Sequence, residues 1–286
     1  MTLYQALSRA ESALSAAGVE QPRLEAETLL MLQLGAGRSA IYARLKDNLD
    51  DRTAEGFFAL AGRRAAREPG QYITGEAYFS GLKFMVSPAV LIPRPETEAL
   101  ADEGAALLKD REDALIADLG TGSGCIAVTL ALKLSGARVL AVDKSPDALE
   151  LAKRNAALHG VGGRVGFLLG DMLGPLYAGG YAGGLDLIVS NPPYVPSAEM
   201  PGLQPEVRCE PASALDGGPD GLVFIRRIIG GAPGCLKAGG WLLMEIGMGQ
   251  AEAVREIVHD EPGLAFIRFI EDFAGIERVL AARRPF

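Results

Sequence analysis

The stretch from Leu115 to Leu134 constrains the fold more than any other. Leu115-Ile116-Ala117-Asp118-Leu119 is an apolar run of strand length. Gly120-Thr121-Gly122-Ser123-Gly124 follows, a loop whose glycines reach backbone conformations closed to other residues. Cys125 to Leu134 then reads as an apolar helix. The chain beyond repeats the alternation. Val139-Leu140-Ala141-Val142-Asp143 predicts a second strand, with Ser145 as the cap of the next helix, Pro146 at its first position and Gly160 as its stop. Val165 to Leu169 predicts a third strand, ending in Gly170-Asp171-Met172, and Leu185 to Val189 a fourth. Asp220 is expected to cap a helix running to about Leu236. Trp241 to Ile246 predicts a fifth strand, with a helix near residues 250–259 after it. Ala265 to Ile270 and Arg278 to Ala282 predict two closing strands. Such alternation implies an α/β fold with a mostly parallel sheet covered on both faces.

The fourth strand runs into Ser190-Asn191-Pro192-Pro193-Tyr194. Asn191 and Pro192 each precede a proline and are biased away from helix. Neither proline has an N–H to give to a sheet. The strand therefore stops in a rigid tip that carries an amide side chain, free carbonyls and an aromatic ring. That set suits a planar NH2 group. The Asn191 side-chain oxygen can accept one of its hydrogens, the Pro192 carbonyl the other, and the Tyr194 ring can lie on its face. A proline-rich turn after a core strand is the alternative.

The glycine loop supplies the other half of a site. A dinucleotide fingerprint places its third glycine one residue later, where this chain has Cys125. The spacing Asp118-x-Gly120-x-Gly122-x-Gly124 instead resembles the first motif of class I S-adenosylmethionine-dependent methyltransferases. Asp143 ends the next strand, where a carboxylate can accept both ribose hydroxyls; an N-terminal helix cap is its other reading. Asp171 could accept from adenine N6–H, and Met172 could pack on the ring. The glycine loop, Asp143, Asp171-Met172 and Asn191 all lie at the carboxyl edge of one sheet, where open α/β sheets bind ligands.

Upstream, residues 1–67 predict a small helical bundle. Leu3, Leu7, Ala10 and Leu14 recur at helical spacing after Thr2, a candidate N-cap. Leu24 to Leu34 predict a second helix closed at Gly35, and Asp51 onward a third, through Phe57, Phe58 and Leu60. Residues 68–92 hold the β-formers Tyr72, Ile73, Tyr78, Phe79, Leu82, Phe84 and Val86, punctuated by Gly75 and Gly81; they predict a hairpin linker. Residues 93–286 then form the sheet domain. Ile92-Pro93-Arg94-Pro95-Glu96-Thr97-Glu98 gives it an extended start, followed by a helix to about Lys109.

Composition excludes several functions. The formal net charge is −8, so the whole chain is no bulk phosphate binder. Residues 1–67 hold nine Lys/Arg against eight Asp/Glu, and the rest 19 against 28. Cys125, Cys209 and Cys235 are far apart and odd in number, without zinc spacing, so neither a disulfide framework nor a metal is expected. His159 and His259 fall late in predicted helices and read as surface cations. Met1 to Gly18 has no apolar signal core, and no stretch is apolar for long enough to span a bilayer. A cytoplasmic setting is expected, with no membrane partner.

Taken together, the chain resembles the glutamine N5-methyltransferases that modify peptide chain release factors, the HemK/PrmC family. The resemblance rests on Tyr72-Ile73-x-Gly75-Glu76, Leu91 to Glu98, Asp118 to Gly124 and Ser190 to Tyr194. It extends to Val207-Arg208-x-Glu210-Pro211 with Ala214-Leu215, and to Asp272-x-Ala274-Gly275 with Glu277-Arg278-Val279. It implies a Rossmann-like methyltransferase domain and S-adenosylmethionine as cofactor, with S-adenosylhomocysteine as product. It implies an N-terminal domain that docks the release factor, and a target glutamine in a Gly-Gly-Gln loop. Gly120, Thr121, Gly122, Ser123, Gly124, Asp143, Asp171, Met172 and Asn191 would hold the cofactor. Asn191, Pro192 and Tyr194 would serve transfer, and Pro193, Arg94, Glu96, Arg208 and Glu210 the substrate. The family's adenine-packing residue is often aromatic where this chain has Met172. Asn-Pro-Pro-Tyr is shared with adenine-N6 nucleic-acid methyltransferases, which stay as the alternative; the acidic balance and lack of a basic run speak against nucleic acid. A monomer is expected.

Overall fold

The computed structural model describes residues 1–272 and 274–286. They form two compact units. The first is Met1–Glu76 together with Gln204–Cys209; the second is Ala77–Leu203 together with Glu210–Phe286.

The first unit is helical: α1 (Leu3–Ala16), α2 (Pro22–Leu34), α3 (Arg38–Ala43), α4 (Asp51–Ala65) and α5 (Gly70–Thr74). Thr2 and Gln5 close a reciprocal capping box on α1, and Asp50 caps α4 by accepting from Thr53 N–H. Leu3, Leu7 and Leu14 of α1 meet Leu29 and Leu30 of α2 and Phe57 of α4 in one apolar core. The core includes a paired charge. Glu27 is 1% exposed and accepts from Arg23 Nε at 2.8 Å, Arg38 Nε at 2.7 Å and the Tyr42 hydroxyl. Burial pushes its carboxyl up, but the three donors win and hold it below its ordinary value. Glu206 attaches the segment 204–209. It accepts from Arg67 Nε and Nη2, both at 2.6 Å, and from Arg64 Nη1 at 2.9 Å. Its bonds to Arg67, and then to Arg64, lower its pKa to about 2.

The hairpin expected over 68–92 is shorter than that and begins later. Tyr72 and Ile73 lie in α5, not in a strand. Pro69 precedes the first residue of α5, and Gly75 closes it in the left-handed conformation, φ 73°. Those flanks and the burial of both side chains outweigh their β propensity. The hairpin itself is β1 (Glu76–Phe79) and β2 (Leu82–Met85).

The second unit is a doubly wound sheet. Its strands are β3 (Leu115–Leu119), β4 (Arg138–Asp143), β5 (Val165–Leu169), β6 (Leu185–Ser190), β7 (Leu236–Glu245), β8 (Ala265–Glu271) and β9 (Glu277–Arg283). They lie in the order β5-β4-β3-β6-β7-β9-β8. β5 to β7 pair in parallel, and β9 runs antiparallel to both β7 and β8. Helices α6 (Glu98–Leu108), α7 (Cys125–Lys133) and α8 (Pro146–Leu158) share one apolar core with β3 and β4, which also takes Phe79 and Phe84 of the hairpin. Helices α9 (Gly174–Ala178), α10 (Val223–Cys235) and α11 (Ala251–His259) build the other, with Leu119, Ile188 and Met244. Every side chain of β6 is buried, as a strand covered on both faces requires.

Two boundaries differ from the sequence reading. β7 starts at Leu236, not Trp241, because Gly239, φ 74°, lets the strand bulge where its register with β6 slips between Leu185 and Leu187. Asp220 does not cap α10; it accepts from Leu222 N–H and pairs with Arg226, and the helix begins at Val223.

Candidate active site

The carboxyl ends of β3, β4, β5 and β6 meet at a cleft of about 920 Å³. The order of strands explains the place. β3 lies between β4 and β6, so the chain leaves β3 to one side and later returns to the other, and the loops diverge there.

The glycine loop forms the floor. Gly120 N–H and Thr121 N–H both donate to the Val142 carbonyl at 2.9 Å, folding the loop against β4. Gly120, Thr121, Gly122 and Ser123 line the cleft. Gly124 stands behind them as the last residue before α7, at φ 80°. A Cβ there would meet Ala152 Cβ at 3.0 Å, so this glycine lets α7 approach α8. Asn155 of α8, fully buried, donates to the Ser123 carbonyl at 2.8 Å and to the Met85 carbonyl at 2.9 Å, which fixes the loop from behind. Nothing in the sequence marked that residue except its place on an otherwise apolar helix face.

Asp143 ends β4 at the cleft wall. One oxygen accepts from Gly122 N–H and the other from Ser145 N–H, each at 2.9 Å. The helix cap is Ser145, whose hydroxyl accepts from Ala148 N–H at 3.2 Å. Each Asp143 oxygen keeps a lone pair for a hydroxyl. Asp171 and Met172 follow β5 into the same wall. Met172 is held at φ 50°, a strained conformation for a side chain of its kind. Asp171 pairs with Arg227 of α10. Phe224, a half-buried ring that sequence reasoning missed, lines the same cleft, with Lys144 Nζ 5.8 Å and Arg227 Cζ 5.7 Å from its centroid.

The donor set fits S-adenosylmethionine. The Met172 side chain and the Phe224 ring, both lining the cleft, suit a base, and Asp143 suits a diol. Asp118, the fourth residue of β3, is fully buried. Its Oδ2 accepts from Thr121 Oγ1 at 2.6 Å and from Ala127 N–H at 3.2 Å, while its Oδ1 has no hydrogen-bond partner among the described residues. Burial pushes its carboxyl up to about 7 against those two bonds, so a cation nearby would draw it back into the ionised form. Cys125 also lines the cleft, but burial pushes its thiol up to about 12, which leaves it a poor nucleophile.

Asn191 and Pro193 form the opposite lip, with Arg94 and Thr97. Pro192 is buried behind them. Tyr194 packs on the core and donates its hydroxyl to Glu245 Oε1 at 3.2 Å. Gln250 Nε2 donates to the Tyr194 carbonyl at 3.0 Å and so fastens the tip to the start of α11. Asn191 Nδ2 donates to Thr97 Oγ1 at 3.0 Å, and Thr97 Oγ1 donates to Glu245 Oε2 at 2.6 Å. Burial raises the Glu245 carboxyl to about 7, opposed by its bonds to Thr97 and Tyr194 and by the Arg278 charge. Burial, and then the Glu245 charge, push the Tyr194 phenol far above its ordinary range.

The remaining expected substrate residues are not gathered at the lip. Glu210 is buried and accepts from Ile92 N–H at 2.9 Å and from Arg94, so it braces the Ile92–Thr97 segment. Glu96 is exposed on the short turn Pro95–Thr97. Arg208 is exposed on the turn Val207–Cys209, in the helical unit. Among the described residues no group of His, Cys, Asp or Glu is arranged to hold a metal ion.

A glycine loop after the first parallel strand, an acid at the end of the second and an antiparallel strand inserted beside the sheet's edge strand β8 define a class I S-adenosylmethionine-dependent methyltransferase. Solved structures agree on the fold. A methyltransferase from Pyrococcus furiosus superposes with TM-score 0.52 at 18% identity, over 79% of this chain and all of that one. The hMettl16 catalytic domain gives 0.54 at 17%, over 84% and 83%. Residues 5–75 match the family described as PrmC N-terminal domain, and residues 98–206 the methyltransferase small domain. The release factor glutamine methyltransferase of Moorella thermoacetica is 46% identical over 99% of both chains. That of Geobacter sulfurreducens is 44% identical, over 99% of this chain and 96% of the relative. This chain belongs to the release factor glutamine methyltransferase family.

Proposed function

We propose that this protein transfers the methyl of S-adenosylmethionine to the side-chain amide nitrogen (N5) of the glutamine in the Gly-Gly-Gln motif of peptide chain release factors. The setting of Asn191 carries the proposal. Its NH2 is engaged by Thr97, so its Oδ1 is the end left to receive a hydrogen bond at the lip of the cleft. A primary amide offers two N–H groups, and two acceptors fix both. Asn191 Oδ1 takes one, and the Pro192 carbonyl takes the other.

The chemistry asks for orientation more than for acid or base. Bound S-adenosylmethionine supplies a methyl group on a cationic sulfonium, an electrophile that needs no protonation. The amide nitrogen is a weak nucleophile, because its lone pair is delocalised into the carbonyl. Asn191 and Pro192 aim that nitrogen and, as acceptors, favour the positive charge that grows on it while N–C forms and S–C breaks. The nitrogen then loses a proton to water. Tyr194, anchored through Glu245, walls the amide. Arg94, braced by Glu210, shapes the lip, and Pro193 completes it. Glu96 and Arg208, both exposed, meet the surface of the release factor, and the helices of residues 1–67 dock it. The protein acts as a cytoplasmic monomer without touching nucleic acid. Among the described residues, no helix is long and apolar enough to cross a membrane.

Two measurements test this. Labelled S-adenosylmethionine is offered with release factor, with release factor whose Gly-Gly-Gln glutamine is replaced, and with DNA. Label in the first alone is expected; label in DNA would favour adenine-N6 transfer. Asp143→Ala is expected to weaken S-adenosylhomocysteine binding by about 1.5–3 kcal/mol, roughly 10- to 150-fold, because charge-assisted hydroxyl bonds are lost. Calorimetry giving an unchanged Kd would remove Asp143 from the cofactor site.

A further inference from the structure

Thr97 at the lip and Glu245 behind it lie 148 residues apart in sequence yet share a buried hydrogen bond. Thr97 is 3% exposed and Glu245 2%. The bond orders the protons around it. A threonine hydroxyl has one proton to give. With Glu245 ionised, Thr97 gives it to Glu245 Oε2, so toward Asn191 it can only accept. Asn191 must then present NH2 to Thr97, and its Oδ1 is turned to the cleft. The other Glu245 oxygen takes the Tyr194 hydroxyl, so one carboxylate holds both ends of the Asn-Pro-Pro-Tyr tip. Arg278, Glu96 and Tyr194 are the other ionisable groups that act on this carboxylate. If the amide were reversed, the cleft would face an NH2, which repels a target N–H instead of accepting it.

We infer that Thr97 and Glu245 are positioning residues that set the Asn191 amide so that an acceptor faces the substrate. The inference rests on the glutamine-methylating reading for its kinetic consequence, but not for the orientation itself. Thr97 passes the acceptor character of Glu245 on to Asn191 and acts through it. It thereby excludes targets that present an acceptor at that point and selects those that present N–H.

The chain holds three asparagines, Asn48, Asn155 and Asn191, so selective 15N-asparagine labelling gives three side-chain amide pairs. The Asn191→Ala spectrum assigns the pair that matters. In wild type, one Asn191 amide proton is expected to exchange with water at least about tenfold more slowly than those of exposed Asn48. Equal exchange would overturn the inference without any further variant. Thr97→Val keeps the shape and removes the hydroxyl; Thr97→Ser keeps the hydroxyl. Protection is expected to vanish in the first and return in the second. With release factor as substrate, Thr97→Val is expected to lower kcat by about 10- to 100-fold with KM within about twofold, and Thr97→Ser to restore kcat. A wild-type rate in Thr97→Val, or no rescue by Thr97→Ser, would sink the inference. If wild-type enzyme leaves release factor unlabelled, the methylation reading falls, and the exchange data still decide the orientation.

Discussion

Replacing Asn191 by alanine is expected to slow methyl transfer to release factor by about a hundred- to a thousandfold, the usual cost of losing one preorganised polar group at a reacting centre. The loss falls on the rate of transfer more than on docking. Docking is spread over a protein surface, whereas Asn191 Oδ1 matters most as the nitrogen acquires positive charge. The variant should remain folded. Asn191 is only half-buried, and the Thr97 hydroxyl it leaves behind still donates to Glu245. Single-turnover methylation with saturating cofactor is the decisive measurement, with cofactor affinity determined alongside because Asn191 also lines the cofactor cleft. A near-normal rate constant would mean that the target amide is held by other groups, and the assignment of Asn191 would be wrong.

Local chemistry is legible in the sequence. Glycines at 120, 122 and 124 announce backbone with positive φ, and the structure holds them at 70°, 54° and 80°. Two prolines after an apolar run announce the end of a strand, and β6 ends at Ser190. Asp143 is readable from its distance along the chain, because one βαβ unit has a nearly fixed length. Contacts made across the fold are not. Thr97 reads as one residue of a stiff linker, and Glu245 as a charge at the end of a strand. Their pairing depends on β7 lying beside β6, which no local pattern states. The partner of Glu210 is hidden for the same reason: Arg94 is 116 residues away. Phe224 escapes because it lies on α10, far along the chain from Met172, and no local pattern ties it to the cleft it lines. Tyr72 and Ile73 mislead in the opposite direction, since their intrinsic preference for strand loses to the Pro69 and Gly75 flanks of a five-residue helix.

Asn191→Asp is expected to be as slow as the alanine variant in alkaline buffer and to recover in acid, a behaviour that geometry alone would not anticipate. In wild type, Asn191 Nδ2 gives a proton to Thr97 Oγ1, which gives its own to Glu245. An ionised carboxylate at position 191 has no proton to give. Two carboxylates would then compete for the single threonine proton, and one oxygen would be left facing another without a hydrogen between them. Leaving one such group unpaired costs about 1–3 kcal/mol. Protonating the introduced carboxyl removes the conflict, because its O–H donates to Thr97 and its C=O faces the cleft, as the asparagine does. Repulsion from Glu245 and partial burial favour that form, so the folded-state pKa of this carboxyl is raised above its unfolded value. The sign follows from linkage. The stability tied to this proton is fully present below the unfolded pKa and is lost as pH rises through the raised folded pKa. In the cofactor-free protein, the melting temperature of Asn191→Asp relative to wild type should therefore fall as pH rises. Its transfer rate relative to wild type should climb by about tenfold or more between about pH 8.5 and about pH 5.5, since each pKa unit is a tenfold change in protonated fraction. The sulfonium of bound cofactor opposes the protonation and moves the rate profile to lower pH than the stability profile. Asn191→Ala keeps Glu245, as wild type does, but adds no carboxyl at position 191, so relative to wild type it should show neither trend. Parallel profiles for the two variants would mean that Thr97 does not need a proton from position 191, and that the chain of bonds from Glu245 to the cleft is not what orients the amide.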